Sequence, residues 1–154
     1  ALAGGLGLAG MCDIIFATRK STFGTPEVKI GLFPMIIVAH LSRSIPRKRL
    51  MEMMMTGETI DAEEARALGF VSKVVDDRAQ LDELVESYAG KFERASPSAI
   101  KMGRRAFTIL SEMPAGLALR AAQFFNLRFS LGDDLREGTA AFLGKRTPAW
   151  RDIK

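Results

Sequence analysis

Ala1-Leu2-Ala3-Gly4-Gly5-Leu6-Gly7 opens the chain and runs on through Ala9-Gly10-Met11-Cys12-Asp13-Ile14-Ile15. Twenty residues after Gly7 comes a lone acid in a tight setting, Phe23-Gly24-Thr25-Pro26-Glu27. Glycines that open a helix leave bare backbone N–H groups, donors able to hold a developing oxyanion. One carboxylate nearby can move a proton. Together the two stretches point to chemistry beside a polarised carbonyl.

Working outward, residues 4–11 read as a short helix whose small faces let backbones approach closely. Cys12 to Thr18 is apolar and β-branched, the pattern of a buried strand, and Thr22 to Gly24 reads as another. Pro26 and Pro34 punctuate a loop carrying Glu27. Residues 35–44 and 46–55 read as two helices broken at Pro46, the second closed by Gly57. Asp61 is the expected N-cap of a helix that ends at Gly69, with a strand over Phe70 to Val75. Residues 78–94 are amphipathic, with Leu81, Leu84, Val85, Tyr88 and Phe92 at helical spacing. Ser96-Pro97 starts a helix through Leu110, and Pro114 precedes another to about Leu131. Asp133 is expected to cap a last one reaching Gly144, before a tail of Lys145 to Lys154. The order is mixed α/β over 1–76 and all-helical over 77–154. The helical region is expected to pack on the first part or on a neighbouring chain, not to stand as an independent domain.

The 154 residues suffice for one domain with a core, and 47% apolar against 26% charged is ordinary globular composition. The single cysteine, Cys12, rules out an internal disulfide and fits a reducing compartment, cytosol or mitochondrial matrix. Lying in an apolar run, it reads as a small core residue. A net charge of +4 is mild. The clusters Arg47-Lys48-Arg49 and Lys101 to Arg105 read as solvated helix faces and lack the interleaved aromatics of a nucleic-acid stripe; attraction of a small polyanion is the other reading. Asp13 interrupts the apolar opening, so no membrane span is expected, and no basic flank marks a signal peptide. A chain that starts inside a buried-looking glycine turn reads as a fragment lacking an N-terminal part.

Several blocks carry a family resemblance. They are Ala1 to Leu8, Met11-Cys12-Asp13-Ile14, and Phe23-Gly24-Thr25-Pro26-Glu27-Val28-Lys29-Ile30-Gly31-Leu32-Phe33-Pro34. To these add Met55-Thr56-Gly57-Glu58 with Ile60 to Ala65, Gly69 to Val75, and Glu137-Gly138-Thr139-Ala140-Ala141-Phe142-Leu143-Gly144-Lys145-Arg146-Thr147-Pro148. In order and spacing they resemble the C-terminal part of the crotonase family, the enoyl-CoA hydratases and isomerases. The resemblance implies an α/β fold of ββα turns wound into a spiral, here partial, followed by a C-terminal helical trimerisation region. It also implies acyl-CoA substrates, with CoA as part of the substrate and no other cofactor, and a homotrimer or dimer of trimers.

It implies roles as well. Gly4 matches a glycine whose backbone N–H binds the enolate oxygen, and the second donor falls in the missing segment. Glu27 matches a catalytic glutamate and is the expected general acid/base; on its own it would read as a solvated loop acid. Phe142 and Lys145 match positions that contact CoA, and their spacing puts both on one face of the last helix; otherwise they are a core phenylalanine and a surface lysine. Gly7 departs from the pattern, because the typical hydratase carries a second glutamate there. Single-carboxylate chemistry fits isomerisation at least as well as hydration.

Met35-Ile36-Ile37-Val38-Ala39-His40 departs too, standing where the family often has a glycine-rich segment. These aliphatics either reshape an acyl pocket or pack a helix into the core. His40, the only histidine, reads as structural, and without a second histidine or a thiol partner no metal site is expected. Met51, Met53, Met54 and Met55 read as core or interface filler, with an acyl tunnel as the other use. The expected function is proton transfer at an enoyl-CoA thioester. The rival is a non-catalytic acyl-CoA-binding or scaffold protein of the same fold. A cytoplasmic or mitochondrial-matrix location is expected, and the fragment is not expected to fold fully alone.

Overall fold

A computed structural model describes residues 1–151. The last three residues of the expected tail lie outside the described residues. The chain divides into two compact units, Ala1–Val85 and Glu86–Lys154.

The first unit is built from short elements around one core. Helix α1 spans Gly4–Gly10, strand β1 Phe16–Thr18 and strand β2 Thr22–Gly24. A 3-10 turn follows at Pro26–Ile30, then α2 at Met35–Leu41 and α3 at Arg47–Thr56. Strand β3 at Thr59–Asp61 runs directly into α4 at Ala62–Ala67, and β4 covers Lys73–Val75. β1 pairs in parallel with β4, Ala17 opposite Val74. β2 pairs antiparallel with β3, Phe23 opposite Ile60. The chain start extends this second ladder through a parallel bridge between Leu2 and Gly24.

The core takes one or two residues from each element. Leu6, Leu41, Met54, Ala62 and Ala65 are fully enclosed, with Phe23, Ile45, Met53 and Ile60 nearly so. The Phe23 and Phe70 rings meet edge to face at 5.7 Å. Burying a side chain of the size of Leu6 or Met54 stabilises by roughly 2 kcal/mol. Such short strands have no ladder long enough to hold them, so this apolar contact holds them instead.

Several helix ends follow the expected chemistry. Asp61 caps α4, its carboxylate accepting the Glu64 N–H at 2.8 Å. Gly57 ends α3 at φ 67°, a left-handed backbone that suits glycine. Arg49 fastens α3 to α4 through Glu64 at 2.6 Å and also pairs with Glu52. Arg19 bridges Glu63 and Asp76, both at 2.8 Å, with all three side chains exposed, so it adds little.

Other expectations need correction. The strand over Cys12 to Thr18 shrinks to three residues. The backbone instead turns after α1, with the Met11 and Cys12 N–H groups donating back to Leu8 and Ala9. Cys12 is therefore exposed and not a core residue. Phe70 and Val71 are buried but precede β4 and do not extend it. β3 was not anticipated, since its three residues merge into the cap of α4. His40 is exposed on α2. The methionines divide, Met53 and Met54 inside and Met51 and Met55 outside.

The division between units falls within α5, Arg78–Glu93. Beyond it stand α6 at Pro97–Ser111, α7 at Ala115–Ser130, α8 at Asp133–Leu143 and a 3-10 turn at Ala149–Arg151. Gly132, not Asp133, is the N-cap of α8. Ser96 caps α6 by accepting the Ala99 N–H at 3.0 Å. Asp134 ties the two helices, taking hydrogen bonds from the hydroxyls of Ser96 at 2.5 Å and Ser98 at 2.6 Å. Ser96 and Ser98 hold its carboxyl below the usual carboxylate range. Many large apolar side chains here are uncovered, including Phe107, Leu119, Phe124 and Leu131.

Replacing Asp61 with Ala removes the one side-chain acceptor at the start of α4. The expected cost is about 1 kcal/mol of stability, read as a lower chemical-denaturation midpoint with unchanged slope.

Candidate active site

Gly4 and Glu27 lie on segments that backbone hydrogen bonds hold side by side. The Ala1 amine donates to Thr22 O at 2.7 Å. The Gly24 N–H donates to Ala1 O at 3.3 Å, and the Ala3 N–H to Gly24 O at 3.0 Å. Because the bridge is parallel, both chains leave this ladder at the same end. Gly4 comes two residues after Leu2, and Glu27 three after Gly24.

The direction of the Gly4 donor follows from peptide planarity. The Ala3 carbonyl accepts the N–H groups of Leu6 at 3.0 Å and Gly7 at 3.1 Å, so it points along the helix. In a trans peptide the N–H points opposite the carbonyl. The Gly4 N–H therefore projects out of the α1 start, and no acceptor among the described residues takes it. Ala3 holds this arrangement at φ 50° and ψ −128°, a conformation an L residue reaches only with strain.

Glu27 sits on the 3-10 turn. Pro26 opens the turn and Gly31 closes it at φ 80°, with the Glu27 carbonyl accepting the Gly31 and Leu32 N–H groups. From behind, the end of α3 presses on the turn. A Cβ added to Gly57 would stand 3.1 Å from Val28 Cγ1 and 3.0 Å from Lys29 Cε. The Glu27 side chain is half-buried, and its Oε2 is enclosed without a hydrogen-bond partner among the described residues. Thr25 Oγ1 is in the same condition, on a residue that is completely buried. Enclosed polar atoms are seldom left unpaired, so two of them two residues apart make this turn a candidate site. Thr25 is the residue that reading the sequence missed; its only signal was a hydroxyl between Gly24 and Pro26.

Gly7 is buried where α1 crosses α2. A Cβ there would overlap Ile37 Cγ2 and lie 3.0 Å from Ile37 Cβ. Ile37 also packs against the core. Of the Met35–His40 run, Ile37 and Val38 face inward, while Met35 and Ile36 are exposed.

In the second unit Phe142 and Lys145 do not share a helix face. α8 stops at Leu143, and Lys145 lies beyond Gly144 with φ 50°. The Lys145 and Arg146 N–H groups fold back onto the Phe142 and Ala141 carbonyls and close the helix. Phe142 is 82% exposed and is therefore no core phenylalanine. It borders a cavity of about 490 Å³, together with Ser96, Asp134, Phe129 and Trp150; Lys145 does not. Trp150 packs over Gly138, where an added Cβ would come within 2.9 Å of the ring. Its indole N–H is enclosed without a partner among the described residues. Arg146 and the Ala149 N–H both bind Glu137 and hold its carboxyl down to about 2.

This arrangement, short ββα pieces followed by helices, is an α/β fold of the crotonase type, represented here by part of it. The description enoyl-CoA hydratase/isomerase matches residues 1–153, and the chain belongs to that family. It is similar to the rat mitochondrial enoyl-CoA hydratase domain-containing protein 3, 39% identical over 97% of this chain and 50% of that protein. A probable enoyl-CoA hydratase of Mycobacterium leprae is 39% identical over 96% of this chain and 58% of its own length. Among solved structures, human enoyl coenzyme A hydratase domain-containing protein 3 superposes with a TM-score of 0.92. It is 37% identical, across 97% of this chain and 59% of that one. An enoyl-CoA hydratase of Mycobacterium smegmatis gives 0.91 at 35% identity, across 97% and 58%. The chain spans about half the length of the curated relatives it matches.

Two outcomes follow from this geometry. Gly57→Ala puts a Cβ at a left-handed position against the turn that carries Glu27, and should cost about 1–2 kcal/mol in thermal or chemical denaturation. The Glu137 carboxyl is depressed from an ordinary 4.5, so its contribution is full above that pH and is lost as pH falls toward 2. Trp150, the only tryptophan, sits on the turn Glu137 holds. Its emission should shift across that window, and Glu137→Gln should show the shifted emission already at neutral pH.

Proposed function

We propose that the protein transfers a proton at an enoyl-CoA thioester, with the Gly4 N–H as one oxyanion donor and Glu27 as the acid/base. The observation that carries this reading is the parallel bridge. It sends an outward-pointing, unaccepted N–H and an enclosed, unpartnered carboxylate oxygen off the same end of one ladder.

The chemistry needs both groups. A proton next to a thioester carbonyl is only weakly acidic. Removing it places negative charge on the carbonyl oxygen, where a fixed amide dipole stabilises it. In double-bond isomerisation Glu27 takes the proton from C2 of a 3-enoyl thioester, and the electron pair delocalises over the carbonyl and the alkene. The same carboxylic acid then returns the proton to C4, leaving the double bond between C2 and C3. No electrons leave the substrate, so the step calls for no redox partner, and CoA enters only as part of the substrate. Hydration instead requires water to be activated and a second proton delivered, which one carboxylate does less well. Gly7 therefore favours the isomerase sense of the family's chemistry.

Phe142 and Lys145 are assigned to CoA, the ring against an apolar part and the ammonium against phosphate. Both are exposed, which is compatible with that use. A homotrimer or a dimer of trimers would cover the apolar residues of α6 and α7. The rat relative's name places that protein in mitochondria, and a matrix location is proposed here, with cytoplasm as the bacterial counterpart. Among the described residues no helix is long and apolar enough to cross a membrane. A second reading, a non-catalytic acyl-CoA binder, is favoured by the absence of an acid at position 7.

Full-length protein supplied with 2-enoyl-CoA and 3-enoyl-CoA should shift the double bond of the latter faster than it hydrates the former. Glu27→Gln should lower kcat by about 10²–10⁴-fold while CoA binding persists. Undiminished turnover in that variant removes Glu27 from the mechanism. Binding of CoA with no turnover of either substrate selects the second reading.

A further inference from the structure

We propose that Ile37 is the specificity-determining residue of this site. Its side chain fills the volume that a side chain on residue 7 would need, and so leaves Glu27 to act without a second carboxylate.

Helices α1 and α2 approach closely at two points. A Cβ on Gly7 would overlap Ile37 Cγ2, and its next neighbours would be Ile37 Cβ at 3.0 Å and Cα at 3.9 Å. Three residues on, a Cβ on Gly10 would come within 2.9 Å of Leu41 Cδ2. Gly7 and Gly10 lie one turn apart on α1, and Ile37 and Leu41 one turn apart on α2. The helices are therefore locked at two points. Leu41 is completely buried, and Leu6, beside Gly7 on α1, is equally so. Sliding α2 away to admit a side chain at position 7 would drag Leu41 out of the core. Rotating Ile37 alone gives little room, because its Cβ is itself too near.

Chemical consequence follows from shape. A carboxylate at position 7 needs space for its own atoms and for the water it would hold. Here the first atom of such a side chain already overlaps the branched hydrocarbon of Ile37, which offers water no hydrogen bond. Substitution at position 7 alone therefore cannot convert the site; residue 37 has to shrink with it. The catalytic half of this inference rests on the assignment of Glu27 above. The packing half rests on the approach of Ile37 to Gly7 alone.

A variant cycle tests both halves in the full-length protein, using Gly7→Glu, Ile37→Gly and the pair together, with Ile37→Ala as a milder partner if glycine weakens α2. Thermal midpoints and initial rates of 2-enoyl-CoA hydration and 3-enoyl-CoA isomerisation are measured for each. Gly7→Glu alone should lower the midpoint by roughly 5 °C and raise hydration less than about twofold. Adding either change at Ile37 should recover at least about half of that loss, relative to the Ile37 variant alone, because the two sites are coupled. The pair should also hydrate about tenfold faster than either single variant. Full stability in Gly7→Glu, or equal loss in both backgrounds, overturns the packing claim. A pair that regains stability without gaining hydration overturns the specificity claim. Failure of the Glu27 assignment would appear separately, as Glu27→Gln retaining wild-type turnover, and would not alter the stability cycle.

Discussion

Three backbone hydrogen bonds between residues 1–3 and β2 set the position of the two segments that carry Gly4 and Glu27. They bring the start of α1 alongside the strand that leads into the Glu27 turn. Because they join main chain to main chain, the arrangement is insensitive to most side-chain changes and depends only on the register. That register is in turn held by the core, since β2 is only three residues long and Phe23 anchors it between Ile60 across the ladder and the Phe70 ring. The candidate site is thus a by-product of apolar packing that fixes two turns whose tips carry the polar groups.

The same economy explains where local strain is tolerated. Ala3 occupies a backbone region that glycine would enter freely, at a cost of about 1–3 kcal/mol. Its N–H and carbonyl are both fully used, toward Gly24 and toward the first turn of α1. Those bonds over-determine the conformation, and one result is that the Gly4 N–H faces outward. Strain at Ala3 and exposure of the neighbouring donor are two aspects of one constraint.

Much of the secondary structure was legible in the sequence, because capping chemistry is local. Asp61, Ser96 and Gly57 behave as their neighbours imply, and the helices between them fall within a residue or two of expectation. Gly4 and Glu27 became candidates by a different route, as positions in a recognisable order of motifs. Short strands were unevenly legible: β2 falls at Thr22–Gly24 as expected, while the others do not follow the apolar runs. β3 has three residues and depends wholly on β2 opposite it, whereas the longer apolar run at Cys12 to Ile15 has no such ladder. Ile15 packs against the core and pairs with Ser72, whose N–H donates to the Ile15 carbonyl while its hydroxyl accepts the Ile15 N–H. The end of α8 misled for a related reason. The expected helix reaches Gly144 with Lys145 on its face, but the observed one stops at Leu143 and Lys145, at φ 50°, lies beyond its end.

What sequence could not supply was the meaning of Gly7. Read alone, a missing acid is a deficit, compatible with a dead enzyme as readily as with a specialised one. Thirty residues later the aliphatic run at Met35–His40 looked like an independent departure. In the folded chain they are one feature, because Ile37 occupies the space over Gly7. A site that had merely lost an acid would leave a gap beside the glycine, and gaps of that kind destabilise. Here the gap is closed by a well-packed methyl group. The complementary fit of the pair means that glycine at position 7 leaves the packing between α1 and α2 without a void.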